Sequence, residues 1–324
     1  MNQKTRRVLV LGATGTIGQS VCEALLSAGY QVTCFVRTTP SSLPACLSQA
    51  NIRTGDVTSQ GSLREEGFGN DTFDAVVSCL GSRTGTPTDA WAVDYGANAD
   101  AIDVAAEKGV KHFVLLSAIC VQRPRLAFQF AKLAAEKALA ESGMTYSIVR
   151  PTAFFKSLSG QIERLKRGKP FLMFGNGELT ACKPISDPDL ASYMVSCLAD
   201  ADKHNQILPI GGPGLALTPK AQSKMLFRLL DKPEKHKRVP VWMLDIIIFT
   251  LATAGAVLPR LRDKAELARI GRYYATESML AWDEATGDYD ADLTPSTGTQ
   301  TLEYFYTMVI SEDIKVDLGD HAVF

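Results

Sequence analysis

The sequence predicts an α/β fold built on a doubly wound parallel sheet, and three observations carry that prediction. Short, almost continuously apolar runs alternate with segments of helical spacing through the first half of the chain. Runs of that kind suit strands buried on both faces, joined by crossover helices. A glycine-rich turn, Gly12 to Gly18 (GATGTIG), lies between the first apolar run and the first helical segment. Beyond Pro151 the rhythm breaks into short strands, irregular helices and turns such as Gly168-Lys169-Pro170 and Gly211 to Gly214. The expected organisation is a Rossmann-type nucleotide-binding domain over 1–152. A mixed C-terminal substrate-binding region over 153–324 is laid on the sheet's carboxyl edge.

Val8 to Leu11 reads as the first strand, and Thr16 to Ala28 as a helix ended by Gly29. Tyr30 to Val36 is the second strand, followed by a Pro/Ser loop over Thr38 to Pro44. A third strand is expected just before Gly55-Asp56, and a fourth over Phe73 to Leu80. Asp89 to Lys108 is Ala-rich and helical, and His112 to Ser117 is a fifth strand. Leu126 to Glu141 is a helix and Tyr146 to Val149 the sixth strand.

With 324 residues, 46% of them hydrophobic, the chain can bury a large core. A net charge of −1 argues against nucleic acid as a partner. The seven cysteines are scattered, no C-x-x-C occurs, and there are four histidines, which speaks against zinc or iron–sulfur ligation. Scattered thiols suit a reducing compartment. The N-terminus runs MNQKTRR straight into VLVLG, without a signal-peptide core or an Arg/Ser-rich transit segment. The expectation is a mature cytoplasmic protein of bacterial type.

Glycines at 12, 15 and 18 let a backbone turn tightly and approach a pyrophosphate, whose charge then meets a helix N-terminus. Gly12, Thr14, Gly15, Thr16, Ile17 and Gly18 are therefore the candidate cradle. The second strand ends in Val36-Arg37-Thr38, where an NAD site usually offers a carboxylate to the ribose. The Arg37 guanidinium and Thr38 hydroxyl suit a 2′-phosphate, which favours NADPH over NADH. Asp56 and Val57 are placed to bracket the adenine. Cys79, Leu80, Gly81, Ser82 and Arg83, after the fourth strand, would line the pyrophosphate and ribose.

Ser117 ends the fifth strand, Phe128 and Lys132 share one face of the following helix, and Pro151, Thr152, Ala153 and Phe154 leave the sixth strand. All fall at the carboxyl edge, where open α/β sheets bind ligands. A lone helix lysine is ordinarily a solvated residue; behind a strand-terminal serine, in a chain with this glycine turn, Lys132 is better read as holding a nicotinamide ribose. Many such reductases place a tyrosine proton donor one turn before that lysine, and this chain has Phe128.

Longer segments carry a specific resemblance: VVSCLGSR (Val76 to Arg83), HFVLLSAICVQRP (His112 to Pro124), FQFAKLAAEKAL (Phe128 to Leu139) and YSIVRPTAFFKSLSGQIE (Tyr146 to Glu163). So do ACKPISDPDLA (Ala181 to Ala191), LPIGGPG (Leu208 to Gly214) and IGRYYATESMLAWDEATGDYDAD (Ile270 to Asp292). Together they resemble the divinyl chlorophyllide a 8-vinyl-reductase family, an atypical branch of the short-chain dehydrogenase/reductase superfamily. The resemblance implies NADPH-dependent reduction of the C8 vinyl of a tetrapyrrole, divinyl chlorophyllide a, to ethyl. A second, unrelated type of 8-vinyl reductase uses flavin and iron–sulfur clusters, and the missing C-x-x-C spacing argues against it.

That vinyl is conjugated to the macrocycle, so hydride added at its terminal carbon leaves charge spread through the ring. No alkoxide develops, which fits phenylalanine at position 128. On this reading Lys132 orients the nicotinamide ribose and Phe128 offers the ring an apolar surface. The proton comes from water or a side chain, with Cys120 and Tyr274 as candidates. Phe154, Phe155, Phe171 and Phe174 are candidates for ring contacts, with Lys156 or Lys183 meeting the carboxylate. Each of these is individually as well explained by an ordinary core or surface role. The reading from a different class is a non-catalytic NADP-binding pigment-handling assembly factor or redox sensor of the same fold.

Lys235 to Arg238 precede an apolar stretch, Val239 to Leu258, interrupted by Asp245 and flanked by Pro240 and Pro259. Those breaks argue against a membrane span. A buried helix or lid is the favoured expectation, with peripheral membrane contact as the alternative.

Overall fold

One sheet orders the first half of the chain: β3-β2-β1-β4-β5-β6, with a further strand, Gln206–Ile210, beside β6. The strands are β1 (Arg7–Leu11), β2 (Gln31–Val36), β3 (Asn51–Thr54), β4 (Ala75–Ser78), β5 (His112–Leu116) and β6 (Thr145–Pro151). This is a computed structural model, and it describes residues 6–37, 44, 47–258 and 260–312. Thr38, most of the expected 38–44 loop and Pro259 lie outside the described residues.

Neighbouring strands from β3 through β6 pair in parallel. Leu9, Leu11, Val76, Phe113, Leu115 and Ile148 face one side, against Ala101, Val104 and Ala105 of α2 (Asn98–Glu107) and Ala135 and Leu139 of α3 (Ala127–Glu141). The intervening Val8, Val10, Val77, Val114 and Val149 are equally buried. By the two-residue period of a strand they face the opposite side. Helix α1 (Thr16–Ser27) and the helix Asp187–Ser196 pack together. Burying each of these large side chains contributes roughly 2 kcal/mol, which explains the near-continuous apolar strands.

Strand order reverses at β1, whose Leu11 pairs with Ser78 of β4, and Cys79 N–H continues the ladder to Leu11 O at 2.9 Å. The carboxyl ends of β1 and β4 therefore flank the topological switch point, where such sheets take their ligands.

The chain divides into two compact units. The sheet unit takes the residues up to Ser82, Thr88–Pro151 and Asp187–Pro209. The stretch 187–209 thus belongs with the sheet, because it adds a helix beside α1 and a strand beside β6. The second unit takes Arg83–Pro87, Thr152–Ser186 and Ile210 onward. Its core gathers Phe155, Ile162, Leu165, Phe171, Met173, Leu226, Phe227, Leu302 and Tyr306. The fully buried Tyr306 hydroxyl is satisfied by Leu158 O at 2.8 Å and Gln222 Nε2 at 2.7 Å.

The apolar stretch departs from expectation. It forms a helix, Trp242–Gly255, in which only Gly255 is buried. Trp242 is 59% and Phe249 73% exposed. A core helix is ruled out by that exposure. Among the described residues, no helix is long and apolar enough to cross a membrane.

Candidate active site

The glycine turn forms because three glycines meet three separate demands. Gly12 has φ +75°, and a Cβ there would stand 2.7 Å from Cys79 O. At Gly18 a Cβ would stand 2.1 Å from Gly12 O, so only glycine lets α1 pack so close to the turn. Gly15 is different: φ is −74°, and a Cβ would meet nothing closer than Gly12 O at 3.4 Å. Its exposed outer face is open to a ligand. Helix α1 has no side-chain N-cap and no acidic residue in its first turn. An open backbone beside an uncapped helix N-terminus fits a pyrophosphate.

Of the residues expected around the nucleotide, Thr14, Gly15, Thr16, Arg37, Asp56 and Gly81 are exposed. Ile17, Val57 and Leu80 are buried, the last two in the core under the sheet. Asp56 accepts from the Thr58 amide at 2.9 Å and hydroxyl at 2.7 Å. Those bonds, with a smaller contribution from the nearby Arg37 charge, hold its carboxyl below the usual range. Burial pushes the Cys79 thiol up to about 12, so it stays neutral.

Lys132 does not stand alone. Its Nζ lies 2.9 Å from Asp94 Oδ1, with the Asp94 side chain 1% exposed. Asp94 also accepts from the Ser82 amide at 3.2 Å and from the Ser82 hydroxyl. It sits on a wide π-helical stretch, Trp91–Ala97, that precedes α2. Asn98 pins that stretch: its Nδ2 donates to Asp94 O at 3.1 Å and its Oδ1 accepts from Ser78 Oγ at 2.6 Å. The end of β4 thereby fixes the carboxylate that holds the lysine. Asp94, Asn98, Leu115, Leu116, Ser117, Lys132 and Ala135 surround one narrow gap too small to admit a water molecule.

The start of α3 is set by Gln129, which is fully buried. Its Oε1 accepts from the Arg125 and Leu126 amides at 2.7 and 3.0 Å, and its Nε2 donates to Cys120 O at 3.2 Å. That anchoring fixes the rotation of α3 and so places Phe128 and Lys132 on one face. Phe128 is 8% and Cys120 2% exposed. The Ser117 hydroxyl donates to Glu136, which also pairs with Arg150 and accepts from its Nε at 3.0 Å. The Ser117 hydroxyl therefore serves this buried network.

In the second unit, Thr152 donates its amide to Ile210 O at 3.0 Å and its hydroxyl to Lys183 O. Ala153 O accepts from the Ile185 amide at 2.9 Å, and Phe154 bridges to Ile185. Phe155 is buried against Phe305, ring centroids 5.5 Å apart, and Phe171 is buried in the same core. Both are structural there. The Lys183 ammonium donates to Thr294 O at 2.9 Å. Phe154, Lys156 and Phe174 are half-buried and Arg83 is exposed. Tyr274 is also exposed and stands edge-on to Tyr273. An open apolar hollow in this unit is lined by Leu215, Leu217, Met225 and Tyr304, among others, and by none of the expected substrate residues.

Sheet order, glycine turn and uncapped helix define a dinucleotide-binding protein of the Rossmann class, and residues 12–201 match the NAD(P)H-binding family. The chain is similar to the chloroplastic divinyl chlorophyllide a 8-vinyl-reductase of Cucumis sativus, 48% identical over 100% of this chain and 81% of that protein. It is 47% identical to the enzyme of the same name from Oryza sativa subsp. indica, over 98% of this chain and 82% of that one. The chain belongs to the divinyl chlorophyllide a 8-vinyl-reductase family. Among solved structures it resembles an NADPH-dependent quinone oxidoreductase from Escherichia coli complexed with NADPH, with a TM-score of 0.66 at 18% identity. That match covers 94% of this chain and 99% of the other, and is a likeness of fold.

Proposed function

We propose that the chain reduces the C8 vinyl group of divinyl chlorophyllide a to ethyl with NADPH, in the cytoplasm of a phototroph. The observation that carries this reading is Lys132, fixed by a buried Asp94, with Phe128 instead of a phenol one turn earlier on the same helix face. Bound NADPH supplies the hydride; a proton from solvent or a side chain completes the addition across the C=C bond. Lys132 orients the nicotinamide ribose, and the Asp94 carboxylate keeps its ammonium from swinging away. Phe128 offers the ring an apolar surface that helps exclude water from the reacting carbon. The charge left by hydride addition spreads into the macrocycle, so no phenol is required.

The cradle Gly12 to Gly18 holds the pyrophosphate, and Arg37 meets the 2′-phosphate that distinguishes NADPH from NADH. Half-buried Phe154, Phe174 and Lys156 are the proposed contacts of the tetrapyrrole. The test is incubation with divinyl chlorophyllide a and either nicotinamide nucleotide. As the vinyl leaves conjugation the Soret band moves to shorter wavelength, with NADPH faster than NADH. No shift while NADPH still binds would favour a non-catalytic NADP-binding role.

A further inference from the structure

One face of the helix Trp242–Gly255, through Leu244, Ile248, Leu251 and Gly255, is turned from solvent, with the helix packed against Arg260–Thr276; the remaining surface presents apolar side chains to solvent. Ile246 is 56%, Ile247 44%, Val257 81% and Leu258 58% exposed, beside Trp242 and Phe249. A contiguous apolar surface of this kind marks an interaction site. Its polar groups are already satisfied locally. Thr250 and Thr253 donate their hydroxyls to Ile246 O and Phe249 O, both at 2.8 Å. Asp245 pairs with Arg272 of the following helix, Arg260–Thr276, and Arg262 Nε caps Gly255 O at 2.9 Å. A helix with its polar groups accounted for can leave water at low cost.

Charge selects the partner. At the N-terminal end, exposed Lys235, Lys237 and Arg238 outnumber Glu234; past the C-terminal end, exposed Arg260, Arg262 and Lys264 outnumber Asp263. Both ends are cationic. A second copy laid along this helix would set cations against cations, whereas an anionic lipid surface complements both ends at once. At 14 residues the helix is about 21 Å long, short of the ~30 Å hydrocarbon core. We infer that the helix Trp242–Gly255 lies in the headgroup region of an anionic bilayer, its apolar side chains in the acyl boundary and its flanking cations on the headgroups. Trp242, at the basic end, takes the interfacial position usual for tryptophan. The inference stands apart from the reductase reading, since it needs neither NADPH nor pigment.

The test is co-sedimentation of the full chain with vesicles of phosphatidylglycerol and phosphatidylcholine, against phosphatidylcholine alone. Binding is expected to the anionic vesicles at low salt, with release at high salt. The double variant Ile246→Asp/Phe249→Asp abolishes it while NADPH binding is unchanged. The triple variant Lys235→Glu/Lys237→Glu/Arg238→Glu weakens it by about a hundredfold or more, at ~1 kcal/mol per charge. Three results would each overturn the inference. These are no binding to anionic vesicles at low salt, binding that survives the Asp variant, and a concentration-dependent dimer that the Asp variant dissolves.

Discussion

Asp94 Oδ1 lies 2.9 Å from Lys132 Nζ, and the carboxylate is almost completely buried. Removing one member of a buried pair strands the other charge, at a cost of roughly 3 kcal/mol. Lys132→Met should lower unfolding stability by about that amount and reduce kcat/KM about a hundredfold through lost positioning. Adding Asp94→Asn should restore the stability and leave turnover low. Urea unfolding and steady-state rates on the two variants separate the structural from the positioning role. If the double variant regained turnover, Lys132 would be structural only.

On the proposed reading, Phe128 stands where many reductases of this fold carry a phenol. If the macrocycle absorbs the charge, Phe128→Tyr should leave kcat within about fivefold of the native value, because a proton donor there lowers no barrier. A gain of a hundredfold would mean that protonation at this position limits the rate.

The three glycines should separate under substitution. Gly18→Ala forces a Cβ to 2.1 Å from Gly12 O and should lower stability by several kcal/mol. Gly15→Ala meets only an ordinary contact at 3.4 Å, so the fold should persist while NADPH binds at least about tenfold more weakly. Thermal unfolding and a binding titration check the pair.

A buried histidine sets an acid limit. Burial, with the nearby His204 and Arg6 charges, pushes His112 down to about 4, and its Nε2 lies 3.0 Å from Ser147 Oγ. The unfolded chain takes up this proton near pH 6.5 and the folded chain only near 4. Stability is therefore full above about pH 6.5 and falls as pH drops toward 4, by on the order of 2 kcal/mol. His112→Gln should flatten that part of the profile when urea midpoints at pH 7 and pH 5 are compared.

The sheet and the glycine turn were readable because both are local signals: apolar runs, helical spacing and a Gly triplet between them. That Phe128 and Lys132 share one face of a helix was readable because four residues make about one helical turn. Asp94 was not, because inside an Ala-rich helical segment it looks like a solvated carboxylate. Its role arises from the wide turn that Asn98 pins to Ser78, a contact across twenty positions. Ser117 was legible as a strand-terminal hydroxyl, but its bond to Glu136 depends on how α3 packs. Phe155 and Phe171 looked available to a ring until the second unit's core claimed them. The Trp242–Gly255 helix misled in the opposite direction: apolarity predicts burial, and only the fold reveals that, among the described residues, most of its surface beyond the face packed on Arg260–Thr276 is left exposed.

If the conjugated ring takes the charge, hydride enters at the terminal vinyl carbon. NADPH deuterated at both nicotinamide C4 positions, incubated with the chain and divinyl chlorophyllide a in ordinary water, tests this directly. One deuterium per product is expected, on the terminal methyl carbon of the new ethyl group, read by mass spectrometry and NMR. Deuterium on the inner carbon, or an ethyl product without deuterium, would contradict it.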